Sequence, residues 1–132
     1  MILIDSSVWI AALSVRPPFR IEDLVDVNEI VTCLPVVQEV LQGFTTEDAF
    51  RVGREAMLAL PMVESPLDQS AFTEAVDLYR RARRTGLTIR SGVDCLIAAC
   101  AIRHHLVVLH HDRDYPALAK VSTLQQRQIP RR

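Results

Sequence analysis

Ile2-Leu3-Ile4 is a short, wholly apolar run cut off by the polar triplet Asp5-Ser6-Ser7. That pattern predicts a buried strand followed at once by a helix, because Asp and Ser are favoured helix caps. Val8, Trp9, Ala12 and Leu13 would ride on that helix, and Pro17-Pro18 closes it. A second run rich in β-branched residues, 29–33, precedes Pro35, which suits the first turn of a helix reaching Gly43. Thr46-Glu47-Asp48 opens a further helical stretch to about Leu60. Ser65-Pro66 repeats the cap-and-proline start. Over residues 67–85, Ala71, Ala75, Leu78 and Ala82 then fall at i, i+4, i+7 and i+11, a helical stripe, and Gly86 is placed to stop it.

Residues 91–105 form a helix-length segment that is apolar on nearly every side. Residues 106–109, Leu-Val-Val-Leu, read as a buried strand left through the loop His110-His111-Asp112-Arg113-Asp114. A short helix over 115–120 and an edge strand over 124–128 complete the pattern, and the tail ending Pro130-Arg131-Arg132 is weakly specified. Short apolar strands alternating with longer helices predict an α/β domain with a parallel sheet. With no repeats and no linker, residues 1–132 are expected to form a single domain. Ligands of such folds gather beyond the carboxyl ends of the strands, where Asp5 and Asp112 both lie.

Composition narrows the chemistry. The formal net charge is −1, so any nucleic-acid site must come from a local concentration of cations. Arg80, Arg81, Arg83, Arg84 and Arg90 make the one dense basic patch. Its members, Arg84 and Arg90 foremost, are candidates for holding the phosphate backbone of a nucleic acid, with a solvated helix end or an acidic partner as the other readings. Cys33, Cys95 and Cys100 are too few and too irregular for a disulfide framework and read as reduced, buried small residues. The pairs His104-His105 and His110-His111 match no zinc-ligand spacing. Trp9 and Phe44 read as core or interface residues, with base stacking as the alternative. Asp5 interrupts the N-terminal apolar stretch, no basic segment precedes it, and no run reaches the ~18–20 residues of a membrane span. A cytoplasmic protein without membrane contact is expected.

The sharpest anomaly is Asp94, the only charge in the segment from Val93 to Ile102. A helix apolar all round is buried all round, and a carboxylate there costs several kcal/mol unless it is paired or metal-bound. A helix-start role, or pairing with Arg90 or Arg103, would also explain it. Asp5 could be a simple cap. Glu39, alone on its helix, could be a solvated side chain. If Asp5, Glu39, Asp94 and Asp112 share one cleft, their repulsion must be relieved by protons or a cation. All-oxygen ligation selects a hard ion, Mg²⁺ or Mn²⁺, which keeps waters and can activate one for phosphodiester hydrolysis.

Four blocks carry a resemblance: I-D-S-S-V-W-I around Asp5, P-V-V-Q-E-V around Glu39, R-S-G-V-D-C-L-I-A-A-C-A around Asp94, and L-H-H-D-R-D-Y around Asp112. In this order and spacing they resemble the PIN-domain family, most closely its VapC-type toxin branch. The resemblance implies a three-layer sandwich with a short central parallel sheet flanked by helices, and an acidic endoribonuclease site. Asp5, Glu39, Asp94 and Asp112 would be its catalytic acids, with Asp5, Asp94 and Asp112 as Mg²⁺ ligands (Mn²⁺ substituting). Ser6 and Asp114 would assist, and Asp114 could exchange roles with Asp112. The partners implied are a cognate antitoxin, RNA (transfer RNA included) and a second copy of the chain. Three positions depart from the family pattern. Ser6 replaces a commoner threonine, His110 a threonine or serine, and Tyr115 a commoner phenylalanine, the last a mild change. Aspartyl-phosphate chemistry fits poorly, since Ser7 stands where a second aspartate would be needed. A binding module that has lost catalysis is the remaining alternative.

Overall fold

A computed structural model describes residues 1–130; Arg131 and Arg132, the end of the weakly specified tail, lie outside the described residues. The order of elements is β1 (Ile2–Ile4), α1 (Ser6–Ala12), β2 (Ile30–Cys33), α2 (Leu34–Gln42), α3 (Glu47–Leu58) and β3 (Met62–Val63). It continues with α4 (Gln69–Arg84), α5 (Gly92–Arg103), β4 (Val107–His110), α6 (Asp114–Ala119) and β5 (Gln125–Gln128). Two 3₁₀ turns, Ile21–Asp23 and Val27–Glu29, bridge α1 to β2. The five strands form one sheet in the order β3-β2-β1-β4-β5, and every pair is parallel. This is the expected α/β sandwich.

Alternation along the strands divides the core in two, as the two-residue period requires. Leu3 pairs in register with Val31 and Val108, and all three join the cluster formed with α2, α4, α5 and α6. Ile4 pairs with Leu109 and turns to the opposite face, where Ile30, Val8 of α1 and Ile21 meet it. Helices thus flank the sheet on both faces. The predicted stripe Ala71, Ala75, Leu78 and Ala82 is the buried face of α4. Helix α5 is buried from Asp94 to Ala101 except at Leu96, as its lack of a polar face foretold. All three cysteines are buried and free. No helix among the described residues is long and apolar enough to cross a membrane.

Some boundaries differ from expectation. Helix α4 starts at Gln69 rather than at the Ser65-Pro66 signal, because Asp68 accepts a hydrogen bond from the Ser70 N–H and caps it. Strand β4 runs one residue further, taking in His110, which is fully buried. Strand β3 was not anticipated; two residues carry too little pattern to read. Trp9 and Phe44 pack partly buried against the core, the expected reading.

The caps differ in kind. Asp68 bonds into its helix, whereas the side chain of Ser91, at the cap of α5, makes no capping bond. Asp68→Ala should therefore cost about 1 kcal/mol in urea unfolding, and Ser91→Ala should stay within about 0.5 kcal/mol of the parent.

A candidate metal centre at the carboxyl edge of the sheet

Strands β1 and β4 are neighbours at the centre of the sheet, so the residues just past each strand emerge at the same place. Asp5 comes directly after β1, and its N–H extends the ladder by donating to the Leu109 carbonyl at 2.9 Å. Its carboxylate caps α1: Oδ2 accepts from the Ser7 N–H at 3.0 Å and from the Ser7 hydroxyl at 2.6 Å. The capping role is real, but it occupies one oxygen only. Oδ1 accepts from the buried Tyr115 hydroxyl at 2.5 Å.

Asp94 enters from the first turn of α5 and is 4% exposed. Its Oδ1 lies 3.3 Å from the same Tyr115 hydroxyl, and its Oδ2 is buried with no hydrogen-bond partner. Among the described residues no arginine forms an ion pair with Asp5 or Asp94. Arg103, one of the expected alternatives, instead binds Glu64, Asp68 and Glu74. Arg90 offers its backbone N–H to Asp114. Burial, followed by the charge of Asp5 and the neighbouring Asp114 and Asp112, pushes the Asp94 carboxyl up to about 9. A buried, unpaired carboxylate of this kind marks a functional site.

Glu39 reaches the cluster from α2, half-buried, with Oε1 accepting the Ser6 hydroxyl at 2.8 Å. Desolvation raises its carboxyl above the usual range, the Ser6 bond opposes that, and the charges of Asp5 and Asp112 add to it. Ligand atoms of Asp5, Glu39 and Asp94 lie within 4.8 Å of one another, as do those of Asp94, Asp112 and Asp114. Asp94 belongs to both triads. Buried oxygen donors with one orphaned carboxylate oxygen fit a hard divalent cation.

Asp112 and Asp114, indistinguishable in the sequence, have different surroundings. Asp114 is 1% exposed at the start of α6 and accepts the backbone N–H groups of Arg90 and Ser91 at 3.1–3.2 Å. Asp112 is less buried, and its Oδ1 accepts only the Asp114 N–H. It borders a cavity of about 340 Å³ lined also by Arg90, His111, Arg113 and Gln128. Of the two arginines singled out in the sequence, Arg90 thus stands beside an acid of the cluster, and Arg84 is exposed on the last turn of α4. Part of the basic patch is committed elsewhere: Arg81 pairs with Asp77 and donates to the Val121 carbonyl. His110 does not enter the cluster. Its Nδ1 accepts the Asp112 N–H, which leaves Nε2–H to donate to Gln126 Oε1 at 2.6 Å. Tyr115, in contrast, is no mild change, because its hydroxyl lies between two of the acids.

A profile of the PIN domain matches residues 2–121. The chain belongs to the PIN-domain family. A curated relative, ribonuclease VapC11 of Mycobacterium tuberculosis, is 37% identical over 134 aligned positions, covering 95% of this chain and 96% of the relative. VapBC2 from Rickettsia felis, solved with a promoter DNA fragment, superposes with a TM-score of 0.77 at 16% identity, covering 98% and 100% of the two chains. VapBC-5 of M. tuberculosis, of the VapBC family of toxin–antitoxin systems, gives 0.72 at 22% identity over 97% and 98%. At these identities the structures establish the fold, a parallel sheet flanked by helices.

The raised Asp94 carboxyl gives this PIN domain a defined pH response once cations are chelated. An unfolded aspartate ionises near 3.8 and Asp94 in the folded protein near 9, so between these values the folded form keeps a proton that the unfolded form has lost. Stability must fall as pH rises through that window. Asp94→Asn should flatten the slope and, at pH 8 in EDTA, raise stability by roughly 1–2 kcal/mol in denaturant titrations, as neutralising a strained functional group commonly does.

Proposed function

We propose that this chain is a divalent-cation-dependent endoribonuclease acting as the toxin of a toxin–antitoxin pair. The observation that carries the reading is the meeting of Asp5, Glu39, Asp94, Asp112 and Asp114 in two triads that share Asp94, whose Oδ2 is buried and unpartnered. The 37% identity to ribonuclease VapC11 supports RNA as the substrate, and the likeness to a VapBC toxin–antitoxin structure supports a cognate antitoxin.

Asp5, Asp94 and Asp112 are the residues to hold the cation, for which Mg²⁺ is the first choice and Mn²⁺ the substitute. When bound, the ion supplies Lewis acidity toward a phosphodiester and makes water a stronger nucleophile. Ser6 fixes one oxygen of Glu39 and leaves the other free to orient or deprotonate an attacking water. Asp114 anchors the start of α5 through its bonds to Arg90 and Ser91, and so places Asp94. Arg90, which lines one cavity with Asp112, would hold the RNA backbone, and Arg84 would extend the basic surface. Exposed apolar side chains also call for protein partners. They include Ile10 on α1 and Leu13 just after it, Val52 and Leu58 on α3, Phe72 and Val76 on α4, and Val93 on α5. They support assembly with an antitoxin and with a second copy. A single domain working in the cytoplasm completes the reading.

Cleavage of transfer-RNA pools by the purified chain tests it. Activity should require Mg²⁺ or Mn²⁺ and vanish with EDTA. Asp5→Asn and Asp94→Asn should each lose more than about 100-fold in rate, beyond the 10–100-fold typical of a group that only supports a metal ligand. A wild type that cleaves no RNA with either ion would favour a binding module instead.

A further inference from the structure

His110 and Tyr115 touch one another beneath the acids. Their rings pack with centroids 4.9 Å apart at a tilt of 39°. His110 is fully buried and both its ring nitrogens are bonded, Nδ1 to the Asp112 N–H and Nε2 to Gln126. Tyr115 is 0% exposed, and its hydroxyl points away from His110 into the cluster, 2.5 Å from Asp5 Oδ1 and 3.3 Å from Asp94 Oδ1.

Counting acceptor positions shows what that hydroxyl does. An ionised carboxylate offers about four lone-pair directions, two on each oxygen. On Asp5, Ser7 takes both of those on Oδ2 with its N–H and its hydroxyl, and Tyr115 takes one on Oδ1. One direction remains, on the oxygen beside Asp94. We propose that Tyr115 is a positioning residue for the cation site, its hydroxyl fixing the single open lone pair of Asp5 that serves as a metal ligand, with His110 as the rigid backing of its ring. Phenylalanine at this position would leave Oδ1 with two open directions and the carboxylate held from the Ser7 side alone. The inference rests on the metal-site reading above and adds a residue to it.

The test uses direct Mn²⁺ binding by the purified full chain, followed by the electron paramagnetic resonance signal of free Mn²⁺, without RNA. Tyr115→Phe should weaken Mn²⁺ binding about 10-fold, the usual cost of losing a group that orients a ligand, with a melting temperature in EDTA close to that of the parent. The two tyrosines of the chain provide a second readout. Mn²⁺ should perturb the near-ultraviolet tyrosine absorption of the wild type and of Tyr79→Phe. Wild-type Mn²⁺ affinity in Tyr115→Phe overturns the proposal. So does the absence of any cation-induced tyrosine change in Tyr79→Phe, a result that stands even if Tyr115→Phe fails to fold. Asp5→Asn separates the two levels. If it binds Mn²⁺ as the parent does, the metal site itself is wrong and the role of Tyr115 falls with it. If it loses binding while Tyr115→Phe keeps it, only the proposal for Tyr115 is overturned.

Discussion

Carboxylates brought together out of water repel one another, and everything at the carboxyl edge of this sheet is arranged around that repulsion. Asp94 bears most of it. Its helix is buried on almost all sides, Asp5 faces it, and Asp112 and Asp114 close in from the loop after β4. Hydrophobic packing of α5 against α4 and the sheet holds the helix in place regardless, so the electrostatic penalty cannot relax by moving the residue outward. It is met locally instead, by a proton on Asp94 or by a cation, and by donors on the surrounding acids. Ser7 and Tyr115 serve Asp5, Ser6 serves Glu39, and two backbone N–H groups serve Asp114. Among the buried carboxylate oxygens of the described residues, only Asp94 Oδ2 is left without a partner.

The parallel topology makes this convergence possible at low cost in chain length. Because β1 and β4 are central neighbours, residues separated by more than a hundred positions meet without a dedicated loop, as Tyr115 and Asp5 do. The acids come from a strand end, three helices and one loop, namely Asp5 after β1, Glu39 on α2, Asp94 on α5, Asp114 at the start of α6, and Asp112 between β4 and α6. The basic and apolar surfaces that partners would use adjoin one another, since Arg90 lines one cavity with Phe72 and Val76.

Much of this was legible in the chain. Apolar runs bounded by polar caps marked β1, β2 and β4, and the periodicity of α4 named its buried residues correctly because helical spacing and burial are one geometric fact. Asp94 stood out because a lone charge in an apolar helix is costly unless it is paired or metal-bound, and the structure leaves it without the arginine partners that the sequence offered. What could not be read were features decided by three-dimensional neighbours. Nothing in the spacing of Asp112 and Asp114 says which is tied to the backbone of Arg90 and Ser91. Tyr115 looked like phenylalanine with an oxygen attached, since the sequence does not say where that oxygen points. His110 read as the first residue of the loop after the strand, and its two hydrogen bonds turn it into part of the core. The two-residue strand β3 is too short to carry a pattern at all.

Asp114 shows how an acid at such a site can serve two masters. Its carboxylate fastens the turn that leads into α5 while lying within reach of Asp94 and Asp112. Loss of function after replacing it would be uninterpretable, because a slackened helix entry and a missing ligand give the same dead protein. Asp112, whose side chain accepts a single N–H from two residues along, is the position at which chemistry can be interrogated without disturbing the scaffold.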